Sequence, residues 1–135
     1  SFKTDLLEGT FDFGTSGSTF RLALYTDISG FSTSTTAYTT TNEVSSSGTN
    51  YTAGGNTLTN NGVSISSNTA FVDFADLTFS SVTLTADSAL IYKDTSNEAV
   101  LVLDFGGDKT ATNGDFVIQF PTADATNAII RLGDA

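Results

Sequence analysis

The sequence predicts an all-β fold: an antiparallel β-sandwich, Ig-like or jelly-roll-like, with one short N-terminal helix. Three observations predict it. Apolar and polar residues alternate with period two through much of the chain after Gly9. About seven or eight such segments follow one another, separated by turn signals rich in Gly, Asn, Asp and Ser. Phe, Val, Ile, Tyr and Thr, which suit a pleated half-buried surface, are prominent in those segments. Residues 1–135 are expected to form a single β-sandwich domain, with 1–9 as the helix and 27–61 as a long Ser/Thr/Gly-rich loop region.

The opening SFKTDLLEG reads as a helix. Phe2 and Leu6 share a face with Leu7 beside them, Asp5 and Glu8 lie opposite, and Gly9 supplies a stop. TFRLALYT, Thr19 to Thr26, alternates cleanly: Phe20, Leu22 and Leu24 face one way, Arg21 and Tyr25 the other. GVSIS is a small strand bounded by the Asn61-Gly62 turn signal. In TAFVDFADLTF, Phe71 and Asp73 share one face and Val72 and Phe74 the other, with Asp73 and Asp76 at a bend or strand end. SVTLTA turns Val82, Leu84 and Ala86 inward, Thr83 and Thr85 outward. ALIYKD and AVLVLDF are near-continuous apolar runs, the pattern of strands buried on both faces, joined by the hairpin chemistry of Asp94 to Glu98. DFVIQF places Phe116, Ile118 and Phe120 on one face, and NAIIRLG supplies the last strand.

The region 27–61 is weakly patterned. STSTTAYTTTNEV and SSSGTNYTAGGNTLTNNG carry few side chains able to offset the entropy of ordering. Yet Tyr38, Val44, Tyr51 and Leu58 recur as isolated anchors. Composition leaves two readings open, a flexible surface loop and a loop ordered against a neighbouring subunit. On the second reading these four residues are candidate subunit contacts. Phe2, Leu6 and Leu7 join them as candidates, since the helix either plugs one end of the sandwich or docks on another chain.

LDFGGDKTATNGDFVIQF, Leu103 to Phe120, contains DFG, the magnesium-binding signature of protein kinases, and clustered aspartates suggestive of calcium. Neither fits. A kinase needs a catalytic loop, a strand lysine and a Gly-rich loop, and none is present. A calcium loop starting at Asp108 has Thr110 and Thr112 at the next ligand positions and Asn113 where Gly is required. The stretch is therefore expected to be a turn between two strands, with Gly106-Gly107 and Asn113-Gly114 at positions of positive φ.

Composition narrows the chemistry further. The chain has 0 Cys, which removes disulfides, zinc thiolates and thiol nucleophiles. It has 0 His, which removes serine triads, HExxH zinc sites and His-based phosphodiesterases. Fifteen acidic residues against 5 basic ones give a net charge of −10. The cations Lys3, Arg21, Lys93, Lys109 and Arg131 stand singly, so no segment can displace counterions from nucleic acid, and an acidic surface repels anionic membranes. No run of about 18 apolar residues spans a bilayer, and no signal-peptide pattern opens the chain. The start at Ser1 leaves processed or missing N-terminal residues open.

Asp73, Asp76, Asp104, Asp108 and Asp115 are the candidates for a carboxylate pair of the glycosidase kind. Nothing in their spacing separates their acidities, and with 0 Trp and 2 Arg there is little to grip a sugar. No catalytic, cofactor-binding or metal residue is assigned, and the chain is expected not to be an enzyme. Lys93 and Asp94 suggest either an ion pair or a solvated hairpin end, the second being preferred. For the sequon Asn50-Tyr51-Thr52, chance is the better explanation in a chain this rich in Asn, Ser and Thr.

Taken in order, SFKTDLLEGTFDF, FRLALYT, TNEVSSSGTNYTAGGNTL, FADLTFSSVTLTADSALIYKDT, LDFGGDKTATNGDFVIQF and a final IIRLG resemble a family of small tailed-phage structural proteins. That family is met among head and tail morphogenesis genes, especially in marine and cyanobacterial phages. NEV…YTAGG, LIYKDT and DFGGDK…NG carry the resemblance most specifically. The threonine-rich STSTTAYTTT departs from it, as does Phe79 at a site often Trp in relatives. The resemblance implies a virion component made in the host cytoplasm: a capsid decoration, or cement, protein on the outer surface of the head. Its implied partners are the major capsid protein, copies of itself, or both, with a homo-oligomer on the virion as one form of assembly. A tail or fibre module contacting the host surface is the alternative. No cofactor is implied.

Overall fold

Alternating apolar residues bury a strand on one face, and here two such faces meet. The computed structural model describes residues 1–134. Helix α1 (Phe2–Leu7) precedes seven strands: β1 (Phe20–Tyr25), β2 (Asn56–Thr57), β3 (Asn60–Ser66), β4 (Thr69–Phe74), β5 (Leu77–Lys93), β6 (Ala99–Ile118) and β7 (Ile130–Leu132). They form two antiparallel sheets, ordered β2-β1-β5-β6 and β3-β4-β7. Phe20, Leu22 and Leu24 of β1, Val72 and Phe74 of β4, and Val82, Leu84 and Ala86 of β5 share one core. The expected all-β sandwich with a short N-terminal helix is what the chain forms.

Phenylalanines close one end of that core. Phe13 stacks on Phe20 at 4.7 Å between ring centroids, Phe2 meets Phe11 at 5.3 Å, and Phe20 meets Phe74 edge-on at 5.7 Å. Phe2 and Leu6 pack against the core, so α1 plugs the sandwich. The helix stops after Leu7 because Gly9, at φ 78, leaves the helical region.

The seven strands match the number expected, but two of them are longer and differently divided than the sequence suggests. SVTLTA and ALIYKD are one strand, β5, and AVLVLDF and DFVIQF are one strand, β6. GGDKTATNG is therefore not the turn expected between two strands. Lys109, Thr110 and Ala111 stay paired to β5, opposite Ala86, Thr85 and Leu84. The polar residues are absorbed as bulges. Ala86 pairs with Lys109 and Ser88 with Asp104, so Asp87 alone faces Phe105 through Asp108. Gly106 and Gly107, at φ 73 and 135, supply the backbone this requires, and Asn113, at φ 47, serves a second bulge opposite Thr83. The bulges turn the β5–β6 ribbon back on itself. The Phe105 and Phe116 rings lie 6.0 Å apart, whereas a straight strand would separate these residues by about 35 Å. Asp94–Glu98 is the hairpin loop, as expected.

The region 27–61 also differs from both readings offered for it. It holds a 3-10 turn (Ile28–Gly30), all of β2 and the first residues of β3, and it packs on its own chain. Its reason is the far face of β1: Ala23 and Tyr25, with Leu90 and Tyr92 of β5 and Ala99 of β6, form a second apolar layer capped by Phe31 and Tyr38. Main-chain bonds stitch the segment down, from Thr26 to Asn42, Val44 to Leu24, Tyr38 to Asn97 and Ala99 to Thr36.

Gly55 is the tightest point of this seam. A Cβ there would lie 1.7 Å from the Leu22 carbonyl oxygen, at φ +72. Gly55→Ala is expected to destabilise the fold by about 3 kcal/mol or more, through a clash with backbone that cannot yield. Gly48, at φ +73 but in open space, should cost only about 1 kcal/mol on the same change. Chemical denaturation of the two variants separates steric clash from backbone strain.

Candidate binding surface

A cluster of hydrogen-bonded tyrosines is built around one carboxylate. Glu43 is the only charged residue between Asp27 and Asp73 in sequence. Its Oε2 accepts from the Tyr38 hydroxyl at 2.6 Å, and its Oε1 accepts from the Tyr51 hydroxyl at 2.8 Å and from the Gly54 N–H at 2.6 Å. The buried Tyr51 hydroxyl also accepts from the Leu24 N–H at 3.0 Å, so the knot reaches β1 directly. Tyr92 donates to the Gly54 carbonyl at 2.7 Å and stacks on Tyr38 at 4.6 Å. Tyr25 donates to the Thr39 carbonyl at 2.7 Å. Arg21 completes the arrangement, donating to the carbonyls of Gly54 and Gly55. All 4 tyrosines of the chain are thus engaged within one network.

Burial pushes the hydroxyls of Tyr25, Tyr38 and Tyr51 far above the ordinary value, and the charge of Glu43 adds to the effect on each. Burial also raises Tyr92, against the lowering influence of Arg21. The network's partners are all internal, and it works as a fastening.

Burial decides which candidate contacts face outward. Val44, Tyr51 and Leu58 lie in the chain's own core and present no surface to another subunit. Tyr38 is half-buried on Tyr92, and Phe2 and Leu6 are half-buried on the core. Burying these side chains within the chain outweighs leaving them for a partner, because each withdraws apolar area from water at once. Leu7 alone of the seven stands free, 85 % exposed.

Two surfaces that the sequence did not single out are more prominent. On the three-stranded sheet, Ile65 pairs across to Ala70 and Ala70 to Leu132, while Val63 pairs with Val72. Directly opposed residues share a face, so this row continues the core-facing side of the sheet beyond its cover. Ile65 is 74 %, Leu132 65 % and Val63 53 % exposed. The signal was legible in GVSIS and NAIIRLG, but alternation does not say where the opposing sheet ends.

The second surface is a groove of about 580 Å³ on the inside of the β6 bend. Leu103 and Phe105 line it from one half of β6, and Phe116 and Ile118 from the other, with Phe120 and Ile129 beyond. Asp104, Asp115 and Lys109 are the charged groups at its walls.

The acidic candidates are dispersed. Asp73 accepts from the Asn61 side chain, Asp76 from the Phe120 N–H at 2.8 Å, Asp104 from the Gly106 N–H at 2.8 Å and Asp115 from the Ser81 N–H at 3.2 Å. Each fixes a turn or bulge. Among the described residues no three acidic groups converge as metal ligands. Lys93 does not pair with Asp94: its amine donates to the Thr10 carbonyl at 2.8 Å, tying the N-terminal segment to the end of β5. The side chain of Asn50, in the sequon, is bonded to the carbonyls of Ser80 and Ser81.

Two measurements test the knot. Glu43→Ala removes the acceptor of three hydrogen bonds and is expected to cost about 3 kcal/mol in chemical denaturation, with Glu43→Gln about 1 kcal/mol. The second test is alkaline titration. The folded tyrosines hold their protons more tightly than unfolded ones, whose ordinary value is 10.0. Their contribution to stability is full below pH 10.0 and lost as pH rises beyond it. Tyrosinate absorbance and loss of the β circular-dichroism signal should therefore appear together. A tyrosine ionising at its ordinary value in the intact fold contradicts the network.

Comparison with protein-family models, with curated proteins and with solved structures finds no match to this chain.

Proposed function

We propose that the chain is a virion structural protein, a capsid decoration or cement protein that binds the outer surface of a phage head and stabilises it. The observation that carries this reading is the bare apolar row of Val63, Ile65 and Leu132 on a rigidly fastened sandwich. Exposed side chains of this size, gathered on one face of a single sheet, are the material of a protein contact. The acidic candidates support the same reading, since Asp76, Asp104 and Asp115 serve the chain's own backbone. The resemblance of the segments to small tailed-phage structural proteins supplies the particle.

In this reading the chain catalyses nothing, holds no cofactor, and meets the major capsid protein or copies of itself. Its net charge of −10 suits the outside of a shell filled with nucleic acid. Stabilisation arises by mass action: a protein that binds only the mature lattice lowers its free energy by RT ln(1 + [L]/Kd), about 2.7 kcal/mol per site at a hundredfold excess over Kd.

The test is imaging of intact particles with mass spectrometry of their components. The expected result is density for this sandwich on the outer head surface, with the Val63–Ile65–Leu132 row covered. The chain inside the head, or missing from particles, ends the proposal. Its presence at the tail alone would move it to the host-contacting alternative.

A further inference from the structure

We propose that the groove inside the β6 bend, with the free edge of β6 beside it, receives an extended cationic segment of another protein as an added strand. The inference gives the adhesion reading a second surface, but it stands on the groove's own geometry and not on the capsid assignment.

β6 is the last strand of its sheet and pairs with β5 alone. No main-chain group of Val100 through Ile118 bonds to main chain outside that pairing among the described residues. Exposed edges are normally blunted by lysine, proline or a covering element. Helix α1 packs against β6, and its Phe2 shares a cleft with Val100, Leu101 and Val102 in the first half of that strand. The last four residues of β6, Asp115–Ile118, read DFVI and carry neither lysine nor proline themselves, Lys109 and Pro121 standing further along the groove. The main chain of Asp115–Ile118 is a template for an incoming strand.

Side-chain alternation specifies what such a strand would be. Phe116 and Ile118 are buried toward the core and line the groove, while Asp115, Val117 and Gln119 are exposed. A strand laid along this edge would place alternate apolar residues beside Phe116 and Ile118, and the intervening residues beside Asp115. Asp104 stands on the other half of the bend. Lys109 is the one cation of the groove against these two carboxylates, in a chain whose net charge is −10. Opposite charge across a strand pair is favourable and like charge is not, so the complementary segment carries lysine or arginine between its apolar residues. The same charge disfavours a second copy of this chain, which would bring its own net charge of −10 to the contact.

The test uses the full chain and a short end-blocked peptide alternating valine and lysine. One comparison peptide alternates valine and glutamate, and another has the valine–lysine composition sorted into two blocks. Binding is followed by amide chemical shifts and hydrogen exchange. The alternating valine–lysine peptide is expected to bind and to protect amides within Asp115–Ile118, more weakly at high salt. Asp104→Asn with Asp115→Asn keeps an acceptor oxygen for the Gly106 and Ser81 amides while removing both charges. That double variant should stay folded and weaken the peptide by about three- to fivefold.

Equal binding of the valine–glutamate or the blocked peptide overturns the proposal, as does protection mapping to Val63, Ile65 and Leu132 instead. So does the absence of binding at millimolar peptide, or a dimer of this chain occupying the β6 edge. Each of these results leaves the particle-imaging test untouched, and a failure there leaves this one standing.

Discussion

The Glu43 carboxylate is the constraint on which the ordering of the molecule rests. The segment between β1 and β3 is mostly Ser, Thr, Gly and Asn, and such a chain gains little from water by folding. A single negative charge, taken partly out of water, makes two tyrosine hydroxyls and one main-chain amide hold specific positions around it. Hydrogen bonds to an ionised acceptor are stronger than neutral ones, and leaving such a charge unsatisfied is costly. Tyr51 then carries the constraint to β1 through the Leu24 amide. Gly54 and Gly55 carry it to Arg21 and Tyr92. The outer face of β1 and β5 stays dry because this segment is held over it.

The long β5–β6 ribbon supplies the second constraint. A two-stranded ribbon of this length would project into solvent if straight. Bulges opposite Asp87 and Thr83 bend it so that Phe105 meets Phe116 and both ends face the same interior. Polar and glycine residues within β6 are thus the means of bending, and the groove is the space left inside the bend. A fold assembled this way has its rigidity in the ribbon and the knot, and its unmatched apolar area where one sheet outruns the other.

Much of the architecture was legible in sequence. Alternation in FRLALYT and SVTLTA gave the correct inward residues, because period two is imposed by the pleat itself. The helix, its glycine stop and the hairpin at Asp94 to Glu98 were equally local. Gly106-Gly107 misled, since positive φ serves a bulge as well as a turn, and only the pairing of Lys109 with Ala86 distinguishes them. Val44, Tyr51 and Leu58 stood out as anchors and as candidate subunit contacts, but the sequence does not show that the chain's own core takes them. Glu43 had a signal that went unused: a lone charge in a long uncharged stretch flanked by tyrosines. The bare row on β3 and β7 was legible as alternating strands but not as bare, because the extent of the facing sheet is a property of tertiary structure.

β1 lies between β2 and β5, and every partner it has is synthesised after it. Ser88, where pairing with β5 begins, follows Tyr25 by about sixty residues. At about 5–20 residues per second, FRLALY therefore emerges from the ribosome several seconds before β5 can cover it. The β3–β4 and β5–β6 hairpins close locally and fast, while β1 waits on the slow, non-local step. Nascent chains of this protein are most vulnerable to aggregation in that interval, and a chaperone that grips short apolar strands would find its binding site at Phe20–Tyr25.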